Sequence, residues 1–174
     1  MVQGGRAVRI AFINKEDVLN GPGIRVSLWT QGCRFNCPEC HNKHLQDFNG
    51  GYEFNENTLE ELIEAINVPH IAGLSILGGE PLQQDGVQLR NLCKAVSERT
   101  GKSIWLWTGY CYENIPKEFQ PALKYIDVMV DGLYERTLYD VSLLWRGSSN
   151  QRMIDVGKTI STGQISVIDQ TTFL

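Results

Sequence analysis

The sequence predicts an α/β protein built as a partial, open βα barrel with parallel strands. Short apolar segments typical of strands alternate along the chain with amphipathic segments typical of helices, a pattern that favours parallel βα units. The chain has 174 residues, whereas a closed eight-stranded barrel takes about 250 and at least roughly 200. We therefore expect one domain over residues 1–174 that leaves the barrel incomplete.

Four segments have the pattern of strands. Residues 25–30 (RVSLWT) alternate between apolar and polar side chains, and residues 73–77 (GLSIL), 103–108 (SIWLWT) and 125–130 (YIDVMV) are short apolar runs. Each is followed by a segment with glycine and polar residues. In parallel α/β sheets the chemistry belongs at the carboxyl ends of the strands, so these segments are expected to surround one opening.

Two amphipathic helices are predicted between the strands. Thr58 and Glu61 have the spacing of a capping box that begins the first helix, and Pro69 ends it. The second helix is followed by Gly101 as a C-cap, and a shorter helical stretch is expected near residues 121–124. The apolar faces comprise Leu59, Leu62, Ile63 and Ile66 in the first helix, and Leu89, Leu92, Cys93 and Val96 in the second.

Composition and charge exclude several classes of partner. Sixteen Lys and Arg against twenty Asp and Glu give a formal net charge of -4, so no global positive field favours nucleic acid. The longest apolar runs are only a few residues, far below the roughly eighteen of a membrane span. The first residues show no secretory signal. We expect a cytoplasmic protein that binds neither nucleic acid nor a membrane.

The cysteines carry the strongest functional signal. Cys33, Cys37 and Cys40 have the spacing C-x3-C-x2-C, and the odd total of five cysteines favours a metal site over a disulfide framework. Three thiolates on one loop can bind three irons of a cubane cluster and leave the fourth iron without a protein ligand. The alternative is a zinc-binding interaction module in which His41 or His44 supplies the fourth ligand of a tetrahedral site.

The cysteine loop is one of six motifs that follow one another along the chain. The others are NGPGIR at 20–25, GGEPL at 78–82, WTGY at 107–110, DVMVDG at 127–132 and RGSSNQR at 146–152. In this order the motifs resemble those of the radical S-adenosylmethionine enzymes, and among them the glycyl-radical activases. The combination of the cysteine spacing with GGEP and RGSSNQR is more specific than the spacing alone.

The resemblance implies a [4Fe-4S] cluster held by Cys33, Cys37 and Cys40, with S-adenosylmethionine on the open iron. A low-potential donor such as flavodoxin or ferredoxin would reduce the cluster, and cleavage of the cofactor would give a 5′-deoxyadenosyl radical. That radical would take a hydrogen atom from a glycine of the partner, an anaerobic ribonucleoside-triphosphate reductase. The three cysteines are thus the expected catalytic residues, acting through the cluster.

Two sets of residues are expected to bind the cofactor. Gly78 and Gly79 have no Cβ, so their backbone can approach a ligand closely. The resemblance implies that this turn, together with Glu80, holds the amino group of S-adenosylmethionine. Many radical S-adenosylmethionine enzymes have an aromatic residue against the adenine where this chain has Glu39. The backbone groups of Glu39 and His41 are therefore the expected adenine contacts.

Asp131 is the remaining candidate site residue. It ends an otherwise apolar strand, where an aspartate can simply cap the following turn at Gly132. The resemblance implies instead that Asp131 lies near the cofactor or joins Thr108 in a monovalent-cation site. Both interpretations remain open on the sequence.

Two other enzymatic functions also remain open. The chain could activate a different glycyl-radical enzyme, or it could modify a small molecule by the same chemistry. Residues 20–25 and 146–152 argue against both, because they resemble the reductase-specific activases. Since an incomplete barrel has an open side, we expect a glycine loop of a protein partner to fill it, with residues 146–152 near the contact.

Overall fold

The computed structural model describes residues 7–173 and contains one seven-stranded sheet with the strand order β3-β1-β2-β4-β5-β6-β7. Residues 1–6 and Leu174 of the predicted domain lie outside the described residues. The strands are β1 (Arg9–Asp17), β2 (Ile24–Thr30), β3 (Tyr52–Glu53), β4 (Ile71–Gly78), β5 (Ser103–Trp107), β6 (Val128–Asp131) and β7 (Arg152–Asp155).

Helices connect the parallel strands. The α-helices are α1 (Glu56–Ile66), α2 (Gly86–Thr100), α3 (Gln120–Leu123) and α4 (Val156–Thr162). Short 3-10 helices occupy Lys43–Leu45, Pro81–Gln83, Tyr112–Asn114, Lys117–Phe119, Arg136–Leu138 and Gln170–Phe173. Within residues 7–173 no helix is both long enough and apolar enough to cross a membrane.

The middle of the sheet is parallel and its edges are antiparallel. β2, β4, β5 and β6 pair in parallel, as predicted. The outer strands β1, β3 and β7 pair antiparallel with their neighbours, so the prediction of parallel strands holds only for the middle. The chain therefore forms a mixed α/β sheet, and its finer description as an open barrel stays a prediction.

The predicted starts of two elements were wrong by three residues each. The N-cap of α1 is Asn55, whose side-chain oxygen accepts a hydrogen bond from the backbone of Thr58 at 3.1 Å. Thr58 is therefore the third residue of the helix, and the predicted capping box with Glu61 does not begin it. β6 begins at Val128 rather than at Tyr125, because the backbone N–H of Tyr125 donates to Ala122 and extends the helical turn.

The two faces of the sheet have different cores. The larger core packs α1 and α2 against side chains such as Val26, Leu28, Leu74 and Ile76. Because side chains alternate along a strand, neighbouring positions lie on the opposite face. There, Trp105, Val128, Val130 and Met153 pack with the partly buried Trp107, Trp145, Ile168 and Phe173.

The NGPGIR motif has a structural explanation at the start of β2. The side chain of Arg25 is fully buried and donates to Ser75 Oγ and to the Leu74 carbonyl, both at 2.8 Å. Burial lowers the pKa of Arg25 to about 10. Gly21 has φ +113°, and a Cβ there would lie 2.7 Å from Arg25 Cδ. This motif thus stabilises the amino-terminal end of the parallel strands, away from the cysteines that follow β2.

Candidate functional site

A pocket lies at the carboxyl edge of the parallel strands. Its walls come from the segments that follow β2, β4, β5 and β6, as the sequence predicts for strands that run in one direction. Its lining includes Cys33, Phe35, Cys37, Cys40, Asn42, Leu77, Gly78, Gly79, Glu80, Trp107, Thr108, Gly109, Gly132, Leu133, Tyr134 and Gln151. The structure thus brings the cysteine loop and the GGEP turn together.

The backbone closes the base of the cysteine loop. The N–H of Gly32 donates to the Leu45 carbonyl at 2.7 Å, and the N–H of Cys33 donates to Gln46 at 3.1 Å. Within the loop, Asn36 and Glu39 have positive φ of 47° and 54°, which an L-residue rarely adopts. These bonds and turns hold residues 33–44 as a closed loop against the end of β2.

Burial and backbone hydrogen-bond donors shift the pKa values of Cys33 and Cys37 in opposite directions. Burial raises the pKa of Cys33 to about 11, and it also raises the pKa of Cys37. The backbone N–H groups of Phe35 and Tyr134 lower these pKa values in part, because they stabilise the thiolates of Cys33 and Cys37 respectively. At neutral pH the thiol of Cys33 keeps its proton until a metal displaces it.

Asn42 links the third cysteine to the opposite wall. Its backbone N–H donates to Cys40 Sγ at 3.4 Å, and its side-chain amide donates to the Gly78 carbonyl at 3.3 Å. Asn42 could not be predicted as a site residue, because an asparagine two residues after a cysteine is not a distinctive motif. Its position explains how the cysteine loop and the turn after β4 are held together.

The positions of the cysteine and histidine side chains bear on the choice between an iron–sulfur cluster and a zinc ion. Among residues 7–173, no three His, Cys, Asp or Glu side chains converge closely enough to hold a single metal ion. A four-iron cluster does not require the three thiolates to meet at one point, because each thiolate binds a different iron. His41 and His44, the two candidates for the fourth ligand in the zinc alternative, are both exposed. The ring centre of His41 lies 5.7 Å from that of Tyr134.

The two glycines of the GGEP turn are required by close packing against the cysteine loop. Gly78 has φ +107°, and a Cβ on it would lie 2.8 Å from the backbone of Thr30. A Cβ on Gly79 would lie 2.5 Å from the carbonyl oxygen of Gly32. The N–H of Glu80 also donates to that carbonyl at 2.8 Å. The missing side chains therefore let two backbone segments meet, in addition to any approach by a ligand.

Glu80 is almost fully buried, at 2% exposure, and both of its carboxylate oxygens have protein donors. Oε1 accepts from the N–H of Leu82 at 2.9 Å and from the Thr108 hydroxyl at 2.7 Å, and Oε2 accepts from the N–H of Gly109 at 2.8 Å. Burial raises the pKa of Glu80 to about 7 despite these three donors. Glu80 thus orients the segment after β5, and its direct contact with a cofactor stays a prediction.

Asp131 lies outside the lining of the pocket. Its carboxylate is buried and accepts from the guanidinium of Arg152 through both oxygens, and from the N–H of Tyr112 at 2.8 Å. Arg152 also donates to Glu113 at 2.7 Å. The Thr108 hydroxyl donates to a different carboxylate, that of Glu80, and a monovalent-cation site formed by Asp131 and Thr108 stays a prediction.

The RGSSNQR segment supports the wall formed after β6. Gln151 donates from its side chain to the Gly132 carbonyl at 3.0 Å and accepts from the N–H of Gly147 at 2.9 Å. The Arg146 guanidinium donates to the Gln151 carbonyl at 3.1 Å. The guanidinium groups of Arg146 and Arg152 thus form hydrogen bonds with other residues of this chain. A direct role of the RGSSNQR segment in partner contact stays a prediction.

Glu39 connects the cysteine loop to the segment that follows β6. Its exposed carboxylate accepts from Arg136 Nε at 2.7 Å. The ring centre of His41 lies 5.7 Å from that of Tyr134. The backbone N–H of Tyr134 donates to the Cys37 thiol and lowers its pKa. Arg136 and Tyr134 could not be predicted as neighbours of the cysteine loop, because they are far from the cysteines along the chain.

Comparison with known proteins agrees with this site. The family model described as a 4Fe-4S single cluster domain matches residues 19–154, which include every residue that lines the pocket. An anaerobic ribonucleoside-triphosphate reductase-activating protein of Enterobacteria phage T4 is 43% identical over 139 residues, 79% of this chain and 87% of the relative. The chain belongs to the family of anaerobic ribonucleoside-triphosphate reductase-activating proteins.

Cellular members of the activating-protein family are similar over the same share of the chain. The protein of Escherichia coli K12 is 38% identical and that of Haemophilus influenzae is 36% identical, each over 78% of this chain and 90% of the relative. The 4Fe-4S description agrees with the three cysteines that line the pocket. Membership therefore supports the iron–sulfur interpretation of Cys33, Cys37 and Cys40.

Proposed function

We propose that this chain activates an anaerobic ribonucleoside-triphosphate reductase by generating a glycyl radical on it, as a radical S-adenosylmethionine enzyme. One observation carries the proposal: three cysteine thiols line the same pocket as the GGEP turn, in a chain of the activating-protein family. A chain that only bound zinc would need no such second wall. Activases of other glycyl-radical enzymes and small-molecule enzymes are less well supported, because the relatives carry the reductase-activating name.

Cys33, Cys37 and Cys40 are the proposed ligands of the [4Fe-4S] cluster. The backbone N–H groups of Phe35 and Tyr134 favour the thiolate forms of Cys33 and Cys37 that ligation requires. The backbone N–H of Asn42 donates to Cys40 Sγ. Since burial raises the pKa of Cys33, cluster assembly must release the proton that this thiol holds at neutral pH. The backbone that closes the loop keeps the three ligands in place.

The opposite wall is the proposed binding site for S-adenosylmethionine. Gly78 and Gly79 present backbone without side chains at the pocket, which suits the amino group of the cofactor. The backbone of Glu39 and His41 is the proposed adenine contact. Glu80 is in this proposal a positioning residue, because its carboxylate holds the segment after β5 in place.

We propose that Asp131 does not contact the cofactor directly and instead positions residues near it. It fixes Arg152 and the N–H of Tyr112, and so sets the spacing between the segments after β5 and β6. In this arrangement it supports the wall of the pocket from behind. A monovalent cation bound by Asp131 and Thr108 remains part of the proposal, because a hydroxyl that donates to Glu80 keeps the lone pairs of its oxygen for such an ion.

When bound, the reduced cluster and S-adenosylmethionine supply one-electron cleavage of a carbon–sulfur bond and abstraction of a hydrogen atom from glycine. The apolar side chains of Phe35, Leu77, Trp107 and Leu133 line the same pocket and limit the access of water. We propose that the sheet forms an open barrel whose open side admits the glycine loop of the reductase. A low-potential donor such as flavodoxin or ferredoxin is the proposed source of electrons.

Anaerobic reconstitution tests this function. The protein is loaded with iron and sulfide, and 5′-deoxyadenosine is measured after addition of S-adenosylmethionine and a reductant, with and without a candidate reductase. We expect the brown absorbance of an iron–sulfur protein and cofactor cleavage that the reductase stimulates. A colourless protein that binds zinc and cleaves no cofactor would support the interaction-module alternative instead.

A further inference from the structure

The segment from Leu133 to Ser142, here called the rim segment, exposes four large apolar side chains beside the pocket. Leu133 is 40% exposed, Leu138 is 39% exposed and Tyr139 is 45% exposed, and Val141 reaches 82%. None of the four packs against either core of the described residues. Several exposed apolar side chains within one short segment can mark a surface that binds another molecule.

Hydrogen bonds order the backbone of the rim segment although its apolar side chains are exposed to solvent. At its base, the side-chain amide of Asn150 donates to the Leu133 carbonyl at 2.8 Å. Further out, the N–H of Ser149 donates to the Leu138 carbonyl at 2.9 Å, and Tyr139 forms a bridge with Ser148. Local hydrogen bonds thus order the backbone and reduce the entropy that binding a partner would cost.

The rim segment is continuous with the pocket and with the cysteine loop. Leu133 and Tyr134 line the pocket. Arg136 donates to Glu39 at 2.7 Å, and its guanidinium carbon lies 5.3 Å from the centre of the Tyr139 ring. A chain that enters the pocket from this side must therefore pass over the exposed apolar side chains.

We propose that the rim segment is the docking surface for the reductase chain that carries the glycine, with Leu138, Tyr139 and Val141 as the anchors. This inference rests on the proposed function, because only a protein substrate has to bring its backbone across the rim. The reductase surface that fits it is an apolar groove next to the glycine loop. A few well-buried apolar and aromatic anchors supply most of the affinity of such interfaces.

The test uses Leu138→Asp and Val141→Asp in the cluster-loaded protein, with Val87→Asp as the matched control. Val87 is 59% exposed and is the second residue of α2, so the control adds the same charge to an exposed valine away from the pocket. For each protein we would measure iron content, cofactor cleavage without reductase, affinity for the reductase, and glycyl radical yield. The rim positions are exposed, so these substitutions leave the core intact.

We expect iron content and reductase-free cofactor cleavage to stay at the wild-type level in all three variants. Affinity for the reductase should fall at least about tenfold in Leu138→Asp and Val141→Asp and stay unchanged in Val87→Asp. Radical yield should fall at low reductase concentration and recover at high concentration, because only docking is weakened.

Three results would overturn the docking surface. The first is reductase affinity in Val141→Asp equal to that of the control, and the second is loss of iron or of reductase-free cleavage in the rim variants. The third is a wild-type oligomer that Val141→Asp dissociates while reductase affinity is unchanged, since the rim would then bind a second copy of this chain. If the wild-type protein itself binds and activates no reductase, the proposed function fails, and the docking surface fails with it.

Discussion

The hydroxyl of Thr108 donates a 2.7 Å hydrogen bond to Oε1 of Glu80, which joins the segments that follow β4 and β5. The other oxygen of the same carboxylate accepts from the N–H of Gly109 at 2.8 Å. A buried carboxylate that accepts several hydrogen bonds is held rigidly, and it in turn holds its donors. Two adjacent walls of the pocket are therefore fixed to each other by one side chain.

The burial of Glu80 predicts a specific pH dependence of stability. Its pKa is about 7 in the folded protein against an ordinary value of 4.5. Between these pH values the unfolded chain loses the proton that the folded chain keeps, so stability falls as pH rises and levels off above about pH 7. The shift corresponds to about 3 kcal/mol.

Comparison with Glu80→Gln isolates this contribution. In cluster-free protein, the unfolding free energy of the variant relative to wild type should rise by up to about 3 kcal/mol between pH 4.5 and pH 8. Denaturant unfolding of both proteins at several pH values measures the difference, and contributions from other groups cancel. A difference that does not change with pH would show that Glu80 titrates near its ordinary value.

Substitution of Gly79 should disturb the cysteine loop as well as the turn. In Gly79→Ala the new Cβ would lie 2.5 Å from the Gly32 carbonyl oxygen, so the backbone must shift at a typical cost of about 1–3 kcal/mol. We expect a lower melting temperature and a lower iron content after reconstitution. Full iron content with weakened cofactor binding would instead indicate that Gly79 serves only the approach of a ligand.

Gly157→Ala is the matched control for Gly79→Ala. Gly157 lies in α4, and the nearest atom to an added Cβ is an Asp155 oxygen at an ordinary 3.7 Å. Alanine is favoured over glycine inside a helix by about 0.5–1 kcal/mol. The control should therefore keep its iron and melt at the same temperature or slightly higher.

The cysteines of the loop should be individually necessary for the cluster. Cys37→Ala removes one of the three proposed iron ligands, so we expect loss of bound iron and of cofactor cleavage. Cys111→Ala is the control, because Cys111 is an exposed free cysteine outside the pocket lining. Iron and sulfide analysis with absorbance spectra makes the comparison. Iron content at the wild-type level in Cys37→Ala would contradict the assigned ligands.

The pair of Asp131 and Arg152 should be important for stability. Arg152→Met leaves the carboxylate of Asp131, which is 1% exposed, without its charged donor. We expect a loss of about 2–3 kcal/mol in unfolding free energy, because a buried charge without a partner is costly. The double variant Arg152→Met with Asp131→Asn should recover part of this loss. Equal losses in the single and double variants would show that the charge of Asp131 is not the cause.

Periodicity and local spacing were sufficient to predict the middle of the sheet. The parallel strands, the end of α2 at Gly101 and the convergence of the segments after the strands all follow from local patterns. The antiparallel strands β1, β3 and β7 were not predicted. The edge strands β3 and β7 have only two and four residues, and β1, which lies between β3 and β2, is polar over residues 14–17 and so lacks the pattern of a buried strand. The start of α1 was misplaced because Asn55 offers the same kind of acceptor as Thr58 one turn earlier.

The candidate site was predictable to the extent that its chemistry lies in one short segment. The C-x3-C-x2-C spacing was enough to predict Cys33, Cys37 and Cys40 as metal ligands. The family comparison supports their interpretation as ligands of an iron–sulfur cluster. The partners of Glu80 and Asp131 could not be predicted, because these hydrogen bonds join residues 19 to 29 positions apart. Such contacts depend on how the loops pack, which no local pattern reports.

Electron paramagnetic resonance of the reductase tests the central claim most directly. The reductase is incubated anaerobically with this protein, S-adenosylmethionine and a low-potential reductant, and its spectrum is compared with that of a reaction containing Cys37→Ala. The account predicts a glycyl radical doublet on the reductase with the wild-type protein and none with the variant. Cleavage of the cofactor without a doublet on any candidate reductase, together with consumption of a small molecule, would contradict it.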